Sequence, residues 1–369
     1  MIHVAEPQLL GREAEYVTDC LTRGQLSAGP YVDRFEGLLA QTCRSPFAAA
    51  CCNGTAALHL ALLALDLQPG DEVLVPNLTY VATANAVRYC GATPVPCDVD
   101  PLTWMINAET ALACATDRTV GLIAVHLYGH IADLPALDAL AQAHGWWIVE
   151  DAAEAIGAEW HGQPIGSFGH LATLSFYGNK IITCGEGGAV LSPTKELDAR
   201  VRLFRGQGVD RPGSYDHQVV GYNYRMGDLQ AAVGLGQLEQ LWHHLDAHRT
   251  VACQYRVWAS RAQLDYQIAI RGTDPADWMF TFLVPEGVAR DDVAARLYAA
   301  GVQTRPAFPL LTSLPMYRTS PYPSGAGFYP VAEEVSARGL TLPTHAGLTE
   351  HDVEHVCQAT EFALAGAVA

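Results

Sequence analysis

Lysine is almost missing from this chain: of its 22 Lys and Arg residues, only Lys180 and Lys195 are lysines. A composition biased toward Arg and Ala accounts for the scarcity. Its consequence is chemical, because any reaction that needs a side-chain amine must use one of these two residues. Positive charge as a whole is also short. With 39 Asp and Glu the formal net charge is −17, a field that repels polyphosphate backbones and removes nucleic acid from the expected partners.

Other absences narrow the class. The ten cysteines include no C-x-x-C pair and no repeated spacing, so they read as small reduced core residues rather than a disulfide framework. The histidines, including the His243-His244 pair, lack a ligand arrangement with nearby Cys or carboxylates, and no metal is expected. The most apolar stretch, residues 56–67, is interrupted by His59 and Asp66, far short of the roughly 20 residues of a membrane span. The opening MIHVAEPQLLGREAE has neither the basic nor the apolar region of a secretion signal. A soluble, cytoplasmic protein is expected, with no membrane partner.

The chain is 50% hydrophobic and 17% charged, enough apolar surface to offset the entropy of ordering. Its 369 residues suggest two domains at roughly 100–200 residues each. Candidate strands are Phe47–Cys51, Glu72–Val75, Thr93–Cys97, Val120–Val125, Trp146–Val149, Ala172–Ser175 and Ala189–Leu191. Amphipathic segments Ala56–Leu65, Val81–Tyr89 and Pro135–His144 lie between several of them. This alternation predicts an α/β fold with a mostly parallel sheet. One long helix is predicted over Leu229–His248 from leucines on one face. Beyond it come alternating runs at Tyr266–Ile270 and Met279–Val284, a helix at Asp291–Ala300, an ordered Pro-rich loop from Pro306 to Pro330, and a final helix from Thr349. The expected division is 1–245, a large α/β domain with an N-terminal helical segment, and 246–369, a smaller α+β domain.

Three local arrangements carry chemistry. Asn53-Gly54-Thr55-Ala56 follows a strand and opens a helix, where free N–H groups and the positive dipole end gather an anion such as a phosphate. Ordinary capping of a strand–turn–helix junction calls for the same residues. The strand Trp146–Val149 delivers Glu150 and Asp151 at its carboxyl end, where ligands of open α/β sheets bind; a helix cap is the alternative use. Ser175-Phe176-Tyr177-Gly178-Asn179-Lys180 precedes the turn Gly185-Glu186-Gly187-Gly188 and places one of the two lysines beside backbone that can approach a ligand closely. Lysine forms Schiff bases with carbonyls once its pKa is lowered. Lys195 sits on a polar helix start. A phosphate cradle, a strand-end carboxylate and a lysine by a glycine turn are the needs of pyridoxal 5′-phosphate.

NGTAALHLALLAL, PNLTYVATANA, VHLYGH, EDAAEAIGA, SFYGNKIITCGEGG, GYNYRMGDLQAAVGLGQLE and TRPAF stand in the order seen in the DegT/DnrJ/EryC1/StrS sugar aminotransferases, which this chain resembles over nearly its whole length. The resemblance implies the fold type I architecture of pyridoxal-phosphate enzymes. By matching residue, it implies that Lys180 holds the cofactor as a Schiff base and that Asp151 pairs with its ring nitrogen. Tyr80 would stack on one ring face with Ala153 near the other, and Glu154 would lie near the ring hydroxyl. Thr55, the Ala56 amide and Ser175 would bind phosphate, joined by Asn223 from a second copy in a homodimer with shared sites.

GNKIITCGEGG, RGQGVD and VGYNYRM resemble most the branch of that family that aminates GDP-4-keto-6-deoxy-mannose. L-glutamate is the implied amino donor and a keto sugar nucleotide the implied acceptor. Arg225 and Arg305, with Arg34 behind them, are candidates for the diphosphate; His126 and Tyr128 are candidates for the sugar, a satisfied core histidine being the alternative for His126. Cys184 and Gly227-Asp228 depart from the expected Thr and Thr-Asn, which leaves room for a different sugar. Sister enzymes that dehydrate carry His where this chain has Lys180. The same transfer to a 3-keto sugar nucleotide or a cyclitol is the nearest alternative; a cofactor-binding regulator is a more distant one, for which no basic DNA-binding module is visible.

Overall fold

The computed structural model describes residues 1–211, 213, 215–318 and 327–367. Its centre is a seven-stranded sheet in the order Phe47–Cys51, Gly188–Ser192, Leu171–Ser175, Trp147–Asp151, Thr119–Val125, Glu72–Pro76, Thr93–Cys97. Only Gly188–Ser192 runs against its neighbours; the five strands from Leu171–Ser175 to Thr93–Cys97 pair in parallel. Each expected strand is present, with ends moved by one or two residues. These strands were readable because they are buried on both faces, as parallel sheets are, and so appear as unbroken apolar runs.

The helix Gly54–Ala64 follows the first strand and is buried almost all round. It starts where it does because the Asn53 side chain accepts the Ala56 N–H at 2.8 Å. Helices Ala82–Tyr89 and Leu134–His144 likewise cover the sheet. The last ends on Gly145 in the left-handed region, φ 69°, a conformation glycine takes without a Cβ penalty.

Two expectations need correction in the second half. The single helix predicted over Leu229–His248 is two, Asp228–Leu238 and Leu241–Arg261. The first packs Gly234 and Gly236 so closely on Cys184 and Glu13 that a Cβ would clash, and the chain turns at Glu239-Gln240 before helix resumes. Leucine spacing continues across that turn, which hides it. Tyr266–Ile270 is not a strand: Tyr266 makes one bridge to Phe282, while the Ile268 N–H and the Gln267 side chain bond to loops of the large sheet.

A smaller antiparallel sheet, Phe280–Leu283, Gly339–Leu342, Arg305–Pro306, packs against helices Leu241–Arg261 and Arg290–Ala299, on which the helix Glu350–Ala367 lies. The division expected at 245/246 falls inside the continuous helix Leu241–Arg261. Within the Pro-rich loop, residues 319–326 lie outside the described residues. Among the described residues no helix is long and apolar enough to cross a membrane.

Candidate active site

The carboxyl ends of the parallel strands face one cavity of about 360 Å³, lined by Asp151, Ser175, Lys180 and the start of the helix after Asn53. The volume is that of a small-molecule site. Asp151 and Ser175 are the last residues of adjacent strands. Thr79 and Tyr80 follow the strand Glu72–Pro76 into the wall. Lys180 sits in the turn leaving Leu171–Ser175, its N–H bonded to the Tyr177 carbonyl at 2.9 Å.

Asp151 accepts the Thr83 hydroxyl at 2.8 Å on one oxygen and the Ala153 N–H at 3.3 Å on the other. Burial still pushes its carboxyl above the ordinary aspartate range, because those hydrogen bonds and the charge of Lys180 only partly compensate. Glu154 is pushed up by burial in the same way, although Lys180 and the Tyr128 N–H, which donates to Oε2 at 2.7 Å, act against it. Burial pulls the Lys180 amine down against the raising influence of Glu154 and Asp151. Its Nζ lies 3.5 Å from Glu154 Oε1 and 3.7 Å from the centroid of the Trp278 ring. The indole is fixed by its own N–H, which donates to the Asn179 carbonyl at 2.7 Å. Burial thus works against charge on two carboxyls and an amine, while their mutual attraction works for it.

At the other end, Ser175 meets the helix start. A Cβ on Gly54 would stand 2.8 Å from Ser175 Cβ, so glycine lets strand end and helix meet. Of the groups expected to bind phosphate, the Ala56 amide needs correction: it is already bonded to Asn53. The Gly54 and Thr55 amides of the first turn remain for an anion, beside the Thr55 and Ser175 hydroxyls.

Tyr128, Tyr80 and Arg305 line the cavity as well. Tyr128 adopts φ 56°, in the left-handed region that costs a bulky residue strain, and stacks on Phe308 at 5.5 Å and 19°. The Phe308 N–H donates to its hydroxyl at 3.3 Å. Four sequence candidates lie elsewhere. His126 is fully buried outside the cavity: its Nδ1 accepts the Ala132 N–H at 3.2 Å, so Nε2 donates to Glu150 at 3.2 Å. Glu150 is held below the usual range: burial raises it, but His126 and the Gly169 and Gly166 N–H groups outweigh burial. Arg225 is exposed and pairs by backbone with Cys51, away from the walls, and Asn223 bridges Gly206 on the same stretch. Arg34 stacks on Tyr16 and Tyr31 at 5.0 Å each. Lys195 is exposed at the start of the helix Lys195–Arg205.

Trp278, Phe308 and Glu186 line the cavity and were not singled out from the sequence. Phe308 and Glu186 lay within quoted motifs, TRPAF and GEGG. Trp278 had no local signal, since it meets Lys180 only through the fold.

The residues fit pyridoxal 5′-phosphate. A helix start with a glycine cradle and two hydroxyls suits its phosphate, an underprotected buried carboxylate suits its ring nitrogen, and the only cavity-lining lysine suits its aldehyde.

The sequence profile described as the DegT/DnrJ/EryC1/StrS aminotransferase family matches residues 7–361. A GDP-perosamine synthase of Caulobacter vibrioides is 44% identical over 370 residues, covering 98% of both chains. One of Escherichia coli O157:H7 is 38% identical, covering 97% of both. The crystal structure of an aminotransferase TlmJ from Streptoalloteichus hindustanus superposes with a TM-score of 0.93 at 29% identity, covering 100% of both chains.

Proposed function

The chain belongs to the DegT/DnrJ/EryC1/StrS aminotransferase family, a pyridoxal-phosphate-dependent family, and from that premise we propose that it aminates a keto sugar nucleotide, GDP-4-keto-6-deoxy-mannose, with L-glutamate as donor. One observation carries the chemistry: one of only two lysines in the chain lines the same dry cavity as a strand-end aspartate. The full-length likeness to GDP-perosamine synthases supports the choice of sugar.

Pyridoxal 5′-phosphate, when bound, supplies a cationic ring that accepts the electron pair released at a substrate carbon. Asp151 would keep that ring cationic, since a carboxylate destabilised by burial gains most from a facing N–H⁺. The Gly54 and Thr55 amides, with the Thr55 and Ser175 hydroxyls, would anchor the phosphate, and Tyr80 in the wall would cover a ring face. Lys180 would hold the cofactor aldehyde through Nζ and, once freed by an incoming amine, its Nζ would serve as the base and acid that moves the proton at the substrate carbon, in opposite directions in the two halves of the reaction. Burial favours the neutral amine that this requires. Trp278 and Glu154 hold the released Nζ close to where it works. Arg305 offers the cavity wall a cation for an anionic substrate group.

The proposal includes a homodimer, in the cytoplasm. Asn223 and Arg225 are exposed beside the strand Phe47–Cys51, outside their own cavity, and would complete the site of a second copy. The test is a substrate panel with purified enzyme and L-glutamate, reading 2-oxoglutarate and the aminated product. Amination of GDP-4-keto-6-deoxy-mannose is expected. Amination of only a 3-keto sugar nucleotide or a cyclitol would overturn the choice of substrate.

A further inference from the structure

A second, smaller cavity touches the turn that carries Lys180. It is lined by Asn179 and Lys180, by His244 and His248 of the helix Leu241–Arg261, by His345, and by the N-terminal stretch around Gln8. About 10 Å³ is open to the centre of a water-sized molecule, the room of one water. Three buried polar atoms of its lining residues have no hydrogen-bond partner: Asn179 Oδ1, His244 Nε2 and His345 Nε2. Buried polar groups are almost always paired, so three orphans around one small space call for an occupant.

Hydrogen bonds on the far side of two of the rings narrow what that occupant is. His345 Nδ1 accepts the Gly347 N–H at 3.2 Å, so in the neutral ring the proton sits on Nε2, which donates. His248 Nδ1 lies 3.3 Å from the Asp277 carbonyl and must donate to it, leaving Nε2 an acceptor. Asn179 Oδ1 accepts only. Burial lowers the pKa of all three histidines, which keeps the rings neutral. Acceptors such as Asn179 Oδ1 and His248 Nε2 beside the His345 donor do not suit a simple anion. The donor excludes a bare cation, and among the described residues no His, Cys, Asp and Glu cluster is arranged to hold a metal. A water, donating twice and accepting twice, matches the set.

We propose that this cavity holds one structural water that accepts from His345 Nε2, donates to Asn179 Oδ1 and bonds to His244 Nε2, making His345 a positioning residue for the reacting lysine. Asn179 is the lever. Its carbonyl accepts the Trp278 indole N–H at 2.7 Å, and that ring carries the Lys180 amine at 3.7 Å. With the water in place, both the backbone and the side chain of Asn179 are tied, and the turn presents Nζ in one position. The inference rests on Lys180 being the reacting amine.

Two measurements on the holoenzyme decide it. A crystal structure that shows ordered solvent is expected to place one water within hydrogen-bond distance of His345 Nε2 and Asn179 Oδ1; a dry cavity, or direct pairing of those atoms, overturns the site. Single-turnover loss of visible cofactor absorbance on adding L-glutamate then reads the positioning role. His345→Phe, which removes the donor, is expected to slow it by about tenfold or more with little change in the KM for either substrate. His345→Gln, which keeps an N–H donor, is expected to restore the native rate. Asn179→Leu removes the acceptor from the other side, and the double variant His345→Phe/Asn179→Leu is expected to be no slower than the worse single one, because both act through one water. Equal losses in His345→Phe and His345→Gln, or multiplying losses in the double variant, overturn the role. Were Lys180 not the reacting amine, the Lys180→Ala enzyme would still lose absorbance with glutamate, a result distinct from either outcome.

Discussion

At the scale of the residue, the reacting amine is governed by three neighbours: Glu154 at 3.5 Å, the Trp278 face at 3.7 Å, and the low dielectric that lowers its pKa. The first and third were within reach of sequence reasoning, because Glu154 lies in a strand-end motif and a lysine between apolar strands is expected to be buried. Trp278 was not, since 98 residues separate it from Lys180 and no periodicity links them. The indole stabilises the ammonium form through its ring quadrupole. Trp278→Leu therefore lowers the lysine pKa further, and the acid limb of the kcat–pH profile is expected to move to lower pH, with Trp278→Phe between the two. An unmoved limb in Trp278→Leu would show that the ring only fills space.

At the scale of the element, what could be read and what could not have the same physical origin. Buried parallel strands announce themselves as apolar runs, and Asn53 and the glycines mark the ends of helices, so the sheet and the positions of Asp151, Ser175 and Lys180 at its rim were legible. The break at Glu239-Gln240 was not, because leucine spacing does not register a one-turn kink. The fate of the Ala56 amide was hidden too: the cap that starts the helix takes that very N–H. The junction of the helix Gly54–Ala64 with Ser175 has no spare room. Gly54→Ala puts a methyl 2.8 Å from Ser175 Cβ, and overpacking of this kind costs about 1–3 kcal/mol. Because the strain falls on the anion end of the site, cofactor affinity is expected to drop together with thermal stability, read by titrating the apoenzyme with pyridoxal 5′-phosphate. Affinity unchanged despite a lower Tm would place the phosphate elsewhere.

At the scale of the whole molecule, the acidic surface sets the problem that a site for anionic substrates must solve by concentrating cations locally. Arg305 stands in the wall, while Arg225 is exposed at an edge away from it. Sequence motifs marked both arginines but could not tell the wall from the edge, a distinction made by three-dimensional packing alone. Stability carries its own pH signature. Burial holds His130 down to about 4, against 6.5 for an unhindered ring. Below pH 6.5 the unfolded chain therefore binds a proton that the fold refuses, and stability contributed by this residue falls as pH drops from 6.5 toward 4. Asp151 and Glu154, raised by burial, act in the opposite sense over acidic pH, so the comparison that isolates the histidine is native protein against His130→Gln. The difference in unfolding free energy, from urea titrations, is expected to shift against the native protein by up to about 3 kcal/mol across that window and to stay level above pH 6.5. A constant difference from pH 4 to 8 would mean that His130 charges freely in the fold.

The account stands or falls on which of two amines carries the cofactor. Borohydride reduction of the holoenzyme followed by peptide mass mapping settles that, because the chain has only Lys180 and Lys195 to choose between. The reduced pyridoxyl mass is expected on the peptide containing Lys180, and to disappear, with the visible absorbance, in Lys180→Ala. The same mass on the exposed Lys195, or retained in Lys180→Ala, would contradict the assignment of the site.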